Sequence, residues 1–558
     1  MASKDHETLR SKSVSTEEGQ MGSLTAKHSL SASTDESQKH TTKDTTSSPR
    51  DVHGIKWFLV VISLILTTFL WGLDGTITAD IQATFVREFD SIDKLAYNSV
   101  AFFLGAAACV LSWGQLYCHF NAKWIFITCI VIFEAGSALC GAAPSEDALI
   151  AGRAICGVGG SGMYVGVLTL LSMTTTEQER PSYMGYPGIT WGTGTVLGPI
   201  IGGAFAQSTA TWRWGFYINL CIGAVCAPIW LLLVPSKDPS PGVPWKARIQ
   251  GFDFLGFVLL SGASSALLLA MSFGGLVYAW ESGSMIALWV VAGILMVAFG
   301  VQQAFGLGAK QVVFPVKMMS NAKVLVVFFN ETCSATGCFL PIYFIPLYSQ
   351  YVRNEDPLMA GVRLLPFICL MVATVLVCGQ AVSSTGKWLP WFFYGGIMVV
   401  IGGSLMAFTL DEATSAAKIY GYSILIGTGA GAYIQMPFNA CQELVSDPAL
   451  IPAAVGLITW AQLAAPAITL SIANSVFLNT ARTAIAKVLP ADAPILAILS
   501  GVGKGYLGTV SQQSRQEVTH AVVHSMRKAF ILVVTAGALT LVLSPLLLRK
   551  TRGVRKGL

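Results

Sequence analysis

The chain is poor in charge. Asp, Glu, Lys and Arg together make up 12% of its 558 residues, against 53% hydrophobic residues, and the net charge is only +5. Soluble globular chains carry about a quarter charged residues. A soluble domain is therefore excluded, and the mean hydropathy of +0.61 indicates a polytopic membrane protein. No CxxC pair occurs among the twelve cysteines, and Cys109, Cys129, Cys140 and Cys369 sit in apolar stretches. They read as small buried hydrophobes, not as a disulfide or metal framework. No GxxxxGK[ST] loop is present, which argues against ATP-driven transport by this chain. No basic, aromatic-interleaved domain exists to hold nucleic acid. The histidines fall outside the apolar runs. His520 and His524 share a helical face but lack the intervening Glu of a zinc-protease motif, so an amphipathic segment is expected there, with no metal and no cofactor.

Long apolar runs are abundant. A spanning helix needs about 20 mostly apolar residues. Candidate spans lie near 56–75, 93–113, 124–142, 148–171, 183–206, 214–234, 252–274, 284–305, 324–348, 357–380, 389–409, 418–437, 452–478 and 528–548. The expected organisation is a disordered tail over 1–54, a six-helix bundle over 55–235, and a linker with two additional spans over 236–322. A second six-helix bundle follows over 323–548, then a basic tail over 549–558. The first tail is rich in Ser, Thr and mixed charge and has no apolar signal-peptide core. With both tails in the cytoplasm, the short inside loops hold Lys123, Arg180, Lys237, Lys246, Arg248, Lys310, Lys317, Lys323 and Lys387. The short outside loops hold fewer bases, namely Arg87, Lys94, Arg213, Arg353 and Lys418, so the positive-inside bias favours that orientation. The apolar piece AILSGVGKGYLG in the long outside loop 479–527 reads as an interfacial helix.

Ionisable residues within spans are costly and are functional candidates. Asp74, Glu134, Arg153 and Glu331 are the proton-coupling candidates, while Arg363 is expected to snorkel. A carboxylate beside an Arg in a low-dielectric site is a proton switch in one reading; in the other, Asp74 and Arg153 form a static ion pair that locks helices. Gly194, Gly198 and Gly202 repeat every four residues and share a face on which a neighbouring helix can approach closely, and Pro199 between them removes a backbone donor. Gly157, Gly159, Gly160 and Gly162 read as close packing, not as a cofactor loop. In ATWRWGFYINLCIG, from Ala210, an Arg between two tryptophans suits the membrane interface.

These stretches resemble the major facilitator superfamily, and more narrowly its fourteen-span drug:proton antiporters of the fungal toxin-efflux type. The resemblance covers about 52–550. It rests on LDGTITADIQ at Leu73, GRAICGVGGSG at Gly152, GTVLGPIIGG at Gly194 and WRWGFYINLCIG at Trp212. Further matches are IYFIPLYSQ at Ile342, AGVRLLP at Ala360 and GTGAGAYIQMPFNACQ at Gly427. The resemblance implies an all-α fold of two six-helix bundles, each with inverted repeats, plus two extra helices. It assigns Arg153 a part in proton coupling and the Gly194 segment a part in export. Trp191, Tyr343, Tyr433 and Gln435 are then expected in the substrate cavity, with helix packing as their other reading. The implied activity is proton-coupled export of an amphipathic metabolite, toxin or drug by a monomer, in the plasma membrane or else a vacuolar or vesicular one. An importer of iron chelates or basic amino acids and a non-transporting receptor are the alternatives. The chain departs from the family in GQLYCHFNAKW, which keeps Gly114 and Lys123 but loses the usual gating acid. It also departs at Cys156 and Cys221, where many relatives have Gln and Pro.

Overall fold

Helices α1 to α6 are Gly54–Phe89, Leu95–His119, Ala122–Gly141, Glu146–Thr174, Arg180–Gln207 and Trp214–Leu232. Then come α7 (Phe254–Phe273) and α8 (Gly283–Phe305). Helices α9 to α14 are Ala322–Val352, Leu365–Thr385, Leu389–Thr409, Ala416–Tyr433, Ile451–Ile485 and Gln512–Leu543. This computed structural model describes residues 52–89, 95–274, 278–314, 316–353, 355, 357–445, 450–490, 493, 495–499, 506 and 508–548. The first tail up to residue 51, the basic tail and most of AILSGVGKGYLG lie outside them, except that Ile495–Leu499 is a short helix.

Only helices and closed barrels satisfy every backbone group in a bilayer, and no strand occurs among the described residues. Helix starts are written in the sequence. Asn121, Ser145, Ser282, Asn321 and Ser415 each accept a backbone N–H at the start of a helix. Gly306 and Gly386 end α8 and α10 in the left-handed region, at φ 63° and 66°. Among the described residues, twelve helices are long and apolar enough to cross a membrane. The other two long helices, α5 and α12, carry more Gly, Thr and Tyr, and both pack within the bundle.

Several boundaries differ from expectation. The tenth run divides into a short helix, Pro357–Arg363, and α10, with Pro366 near the start of α10. The twelfth ends at Tyr433, and a short helix, Met436–Leu444, follows with Pro437 in its first turn. Helix α14 begins at Gln512 because Ser511 caps an amphipathic extension, so the expected outside loop is much shorter. Along this extension Val518, Val522 and Met526 are buried and His520 and His524 exposed.

Packing within α1–α6 is dominated by α1 on α5, α3 on α4 and α2 on α4. Within α9–α14 it is α11 on α14 and α12, and α9 on α13 and α14. These groups meet through α2 on α13 and α5 on α10. Helices α7 and α8 pair together, and α7 touches α2 and α13. The linker is ordered. Its short helix Trp245–Gly251 presents Arg248, which grips both oxygens of Asp238 at 3.0 and 2.9 Å.

Candidate functional site

The charged residues expected in the first bundle converge. Helix α1 carries Asp74 and α4 carries Arg153, and both side chains are almost fully buried. Arg153 Nη1 donates to Asp74 Oδ2 at 2.5 Å and to the Asp74 carbonyl at 3.0 Å. Its guanidinium lies 4.3 Å from the Phe102 ring centroid. Asn219 of α6 donates to the other Asp74 oxygen at 3.2 Å and to Ser137 of α3 at 3.1 Å. Ser137 in turn stands 3.6 Å from the thiol of Cys156. One buried ion pair thus ties four helices together. Such a pair is held by its extra hydrogen bonds, because the attraction alone does not outweigh desolvation. Asn219 and Ser137 were not singled out from sequence. Their only signal was a polar residue recurring inside an apolar span.

Glu134 stays outside this pair. It lies on α3 against Gly223 of α6, and among the described residues neither carboxyl oxygen has a hydrogen-bond partner. Glu331 is fully buried on α9, where Ser334 donates to it at 3.3 Å and Gln462 of α13 stands beside it. Arg363 does not merely snorkel. It makes an ion pair with Glu355 at 2.6 Å.

Between the two helix groups lies a cavity of about 20 Å³, room for roughly one water. Its walls include Trp71, Tyr164, Trp191, Phe339, Gln435 and Gln462, from α1, α4, α5, α9, the break after α12, and α13. Of the four residues expected in a substrate cavity, Trp191 and Gln435 line this one and two do not. Tyr433 is buried against Gly395 and its ring stands 6.3 Å from that of Phe392, so it packs α12 on α11. Tyr343 lies four residues past Phe339 and is 43% exposed, outside the cavity. One helical turn along α9 was enough to move it off the wall, a displacement that periodicity alone could not place.

The α5 glycine stripe presses on α1. A methyl at Gly194 would stand 2.7 Å from the Phe69 carbonyl, and one at Gly202 would stand 2.9 Å from that of Ile77. One at Gly198 would run into Thr76 Oγ1. The side chain of Pro199 lies outside the described residues. At the end expected to face the cytoplasm, α5 and α10 are closed together. Ser182 donates to Gln380 at 3.3 Å and Ser383 to the Gln178 carbonyl at 2.5 Å. Gly114 of α2 faces Gly456 of α13, so closely that a methyl at Gly114 would stand 3.0 Å from the Gly456 Cα. The retained Lys123 donates to the Leu231 carbonyl at the end of α6.

The tryptophan pair divides. Trp214 is 44% exposed, as an interfacial ring would be, but Trp212 is buried and donates to Glu88 at 2.6 Å. Arg213 pairs with Glu88 at 2.9 Å and donates to the Gly141 and Ala143 carbonyls, so it joins α1, α3 and α6 instead of reaching for a headgroup. A second node was also missed. Buried Asp253 caps α7 and accepts from Gln302 at 2.9 Å, Gln303 at 2.7 Å and the Val313 amide at 3.1 Å. It fastens the α7–α8 pair beside Gln115 of α2, whose side chain accepts from the Asp253 amide.

Two helix groups meeting over a central cavity, with buried charges one turn away, define a secondary transporter. Over residues 60–470 the chain matches the Major Facilitator Superfamily, and it belongs to that family; it is a transporter embedded in a membrane by many helices, not an enzyme. It is 42% identical to the MFS-type transporter pgmG of Aspergillus terreus over 89% of each chain. It is 40% identical to the efflux pump alnA of Emericella nidulans, over 88% of this chain and 90% of that one. It is 37% identical to the efflux pump patC of Aspergillus clavatus, over 90% and 92%. Among solved structures, a bacterial homologue of the human lysosomal transporter Spinster, inward-facing and unoccupied, superposes with a TM-score of 0.55 at 14% identity. That match covers 90% of this chain and 100% of that one. At such identity the likeness shows the fold alone.

Proposed function

We propose that the chain is a proton-coupled exporter of amphipathic small molecules of the secondary-metabolite or toxin class, acting as a monomer in the plasma membrane. Export is supported by relatives named efflux pumps along nearly the whole chain. The cargo site forms where the water-sized cavity walled by Trp71, Trp191, Phe339 and Gln435 widens as the two helix groups part, since its walls pair aromatic faces with one amide at their junction. The observation that carries proton coupling is the buried Arg153–Asp74 pair. A proton arriving on the carboxyl releases the guanidinium and loosens α1 from α4. Cargo arriving from the cytoplasm favours the ionised, paired state. Glu134 and Glu331 are the further carboxyls that exchange protons.

The test is purified carrier in vesicles with an imposed pH gradient and a lipophilic fluorescent cargo. Cargo movement against its gradient, opposite to the proton flow, is expected. Co-movement of cargo and protons would establish the import reading, and no movement of any solute a receptor.

A further inference from the structure

Buried polar atoms in native proteins almost always have partners, protein or water. One region of this molecule departs from that rule in a concentrated way. On the short helix after α12, Gln435, Asn439 and Gln442 stand at i, i+4 and i+7, hence on one face. All three are buried, at 3%, 8% and 5% exposure. Among the described residues, Gln435 Oε1, Asn439 Oδ1 and both polar atoms of Gln442 have no hydrogen-bond partner. The helix packs against α9 and α13. Those helices contribute Asn330 Oδ1, Glu331 Oε1 and Thr459 Oγ1, which are fully buried and likewise lack a bond of ordinary geometry. Gln435 lines the central cavity, and Gln442 lies about 10 Å further along the helix, toward the end expected to be cytoplasmic.

A dry ladder of unpaired amides would leave the desolvation of each group uncompensated. No such cost attaches if water fills the seam, since each amide then has a bridging partner. We infer that Asn439, Gln442 and Thr459 line a hydrated track through which the Glu331 carboxyl exchanges its proton with the cytoplasm, a track that meets the cargo cavity only at Gln435. Gln462, beside both Glu331 and the Tyr164 hydroxyl, stands between the track and the cavity. The other titratable groups near Glu331 are Tyr164 on α4, Tyr433 on α12, and Cys333 and Cys338 on its own helix. No ion pair involves Glu331 among the described residues. The proton leaves Glu331 Oε1 for a track water and passes along hydrogen bonds to bulk, with no other bond made or broken. The carboxylate left behind is held by Ser334 and Gln462.

This inference rests on the proton-coupled reading, and its test separates the two. Asn439→Leu and Gln442→Met remove the polar atoms at nearly constant volume. In vesicles, gradient-driven efflux in each variant should slow about tenfold, the change expected when roughly one hydrogen bond is lost from the proton path. Exchange of cargo for cargo, which moves no net proton, should stay at the wild-type rate. In a Glu331→Gln background the two substitutions should have no further effect. Asn439→Ser, small and polar, should keep most of the activity and guards against misfolding of the apolar variants. If the seam is dry, Asn439→Leu and Gln442→Met should raise thermal stability and leave driven efflux unchanged, which would overturn the track. If wild-type efflux itself ignores the pH gradient, proton coupling has failed and the track falls with it.

Discussion

Arg153→Ala is the most informative perturbation. Arg153 is 2% exposed and meets Asp74 at 2.5 Å, with a further bond to the Asp74 carbonyl and the Phe102 ring at 4.3 Å. Removing one member of a buried pair costs about 3–5 kcal/mol, because the remaining charge is uncompensated. The lost contact with Phe102 adds on the order of 1–2 kcal/mol. Total stabilities are about 5–15 kcal/mol, so the variant should be markedly destabilised while still reaching the membrane. Asp74→Asn strands the guanidinium and should cost a similar amount. The double variant Arg153→Ala with Asp74→Asn has neither charge, so it should recover much of the loss and give a coupling energy of about 2–3 kcal/mol in the cycle. All three should bind cargo yet fail in gradient-driven efflux, since none can alternate between a paired and an unpaired carboxyl. Arg153→Lys restores the charge but not the planar group whose Nη1 reaches both the Asp74 carboxylate and the Asp74 carbonyl, so it should recover partial efflux. The assays are thermal unfolding in detergent, cargo binding by tryptophan fluorescence, and efflux in vesicles. A double variant with full pH-driven efflux would refute the coupling role and leave the pair a static lock between α1 and α4.

Gly198→Val should abolish transport at normal membrane abundance, because even a methyl there meets Thr76 Oγ1; normal efflux would count against α5 and α1 moving in close contact. Trp191→Ala should weaken cargo binding about tenfold with little effect on abundance, and unchanged affinity would remove this cavity from the cargo path. Burial pushes the Asp238 carboxyl up, but the bonds from Arg248 and the Ser240 amide outweigh this and hold it below its ordinary value. A depressed carboxyl lends its stability above the unfolded value and loses it as pH falls through the folded one. Protease cutting in the 236–251 linker should therefore be flat from about pH 8 to 5 and rise only in stronger acid, whereas Asp238→Asn should be cut faster throughout. Epitopes at Ser13 and Gly557 should both be cytoplasmic, and opposite sides would mean an odd number of spans.

Low charge, apolar run length and cap residues depend on neighbours in the chain, so the long helices of the described residues and most of their starts were legible in one dimension. The Gly194, Gly198 and Gly202 stripe was legible for the same reason, since fixed helical spacing puts those residues on one face. Boundaries were missed where an amphipathic helix continued past the apolar run, as α14 does, or where a proline divided a run, as before α10 and after α12.

Partnership across helices had to come from the tertiary structure. Sequence offered Asp74, Glu134, Arg153 and Glu331 as coupling candidates, with an Asp74–Arg153 ion pair as the structural alternative. Packing joined the first and third through Asn219, left Glu134 against Gly223, and set Glu331 beside a seam of unpaired amides. It kept Trp191 and Gln435 on the cavity wall and took Tyr343 and Tyr433 off it. It also turned Arg213 inward to Glu88, away from the lipid surface. Helical periodicity sets which residues share a face. Which face meets which neighbour is set by how fourteen faces fill space together, and the chemistry of buried charges follows from that arrangement.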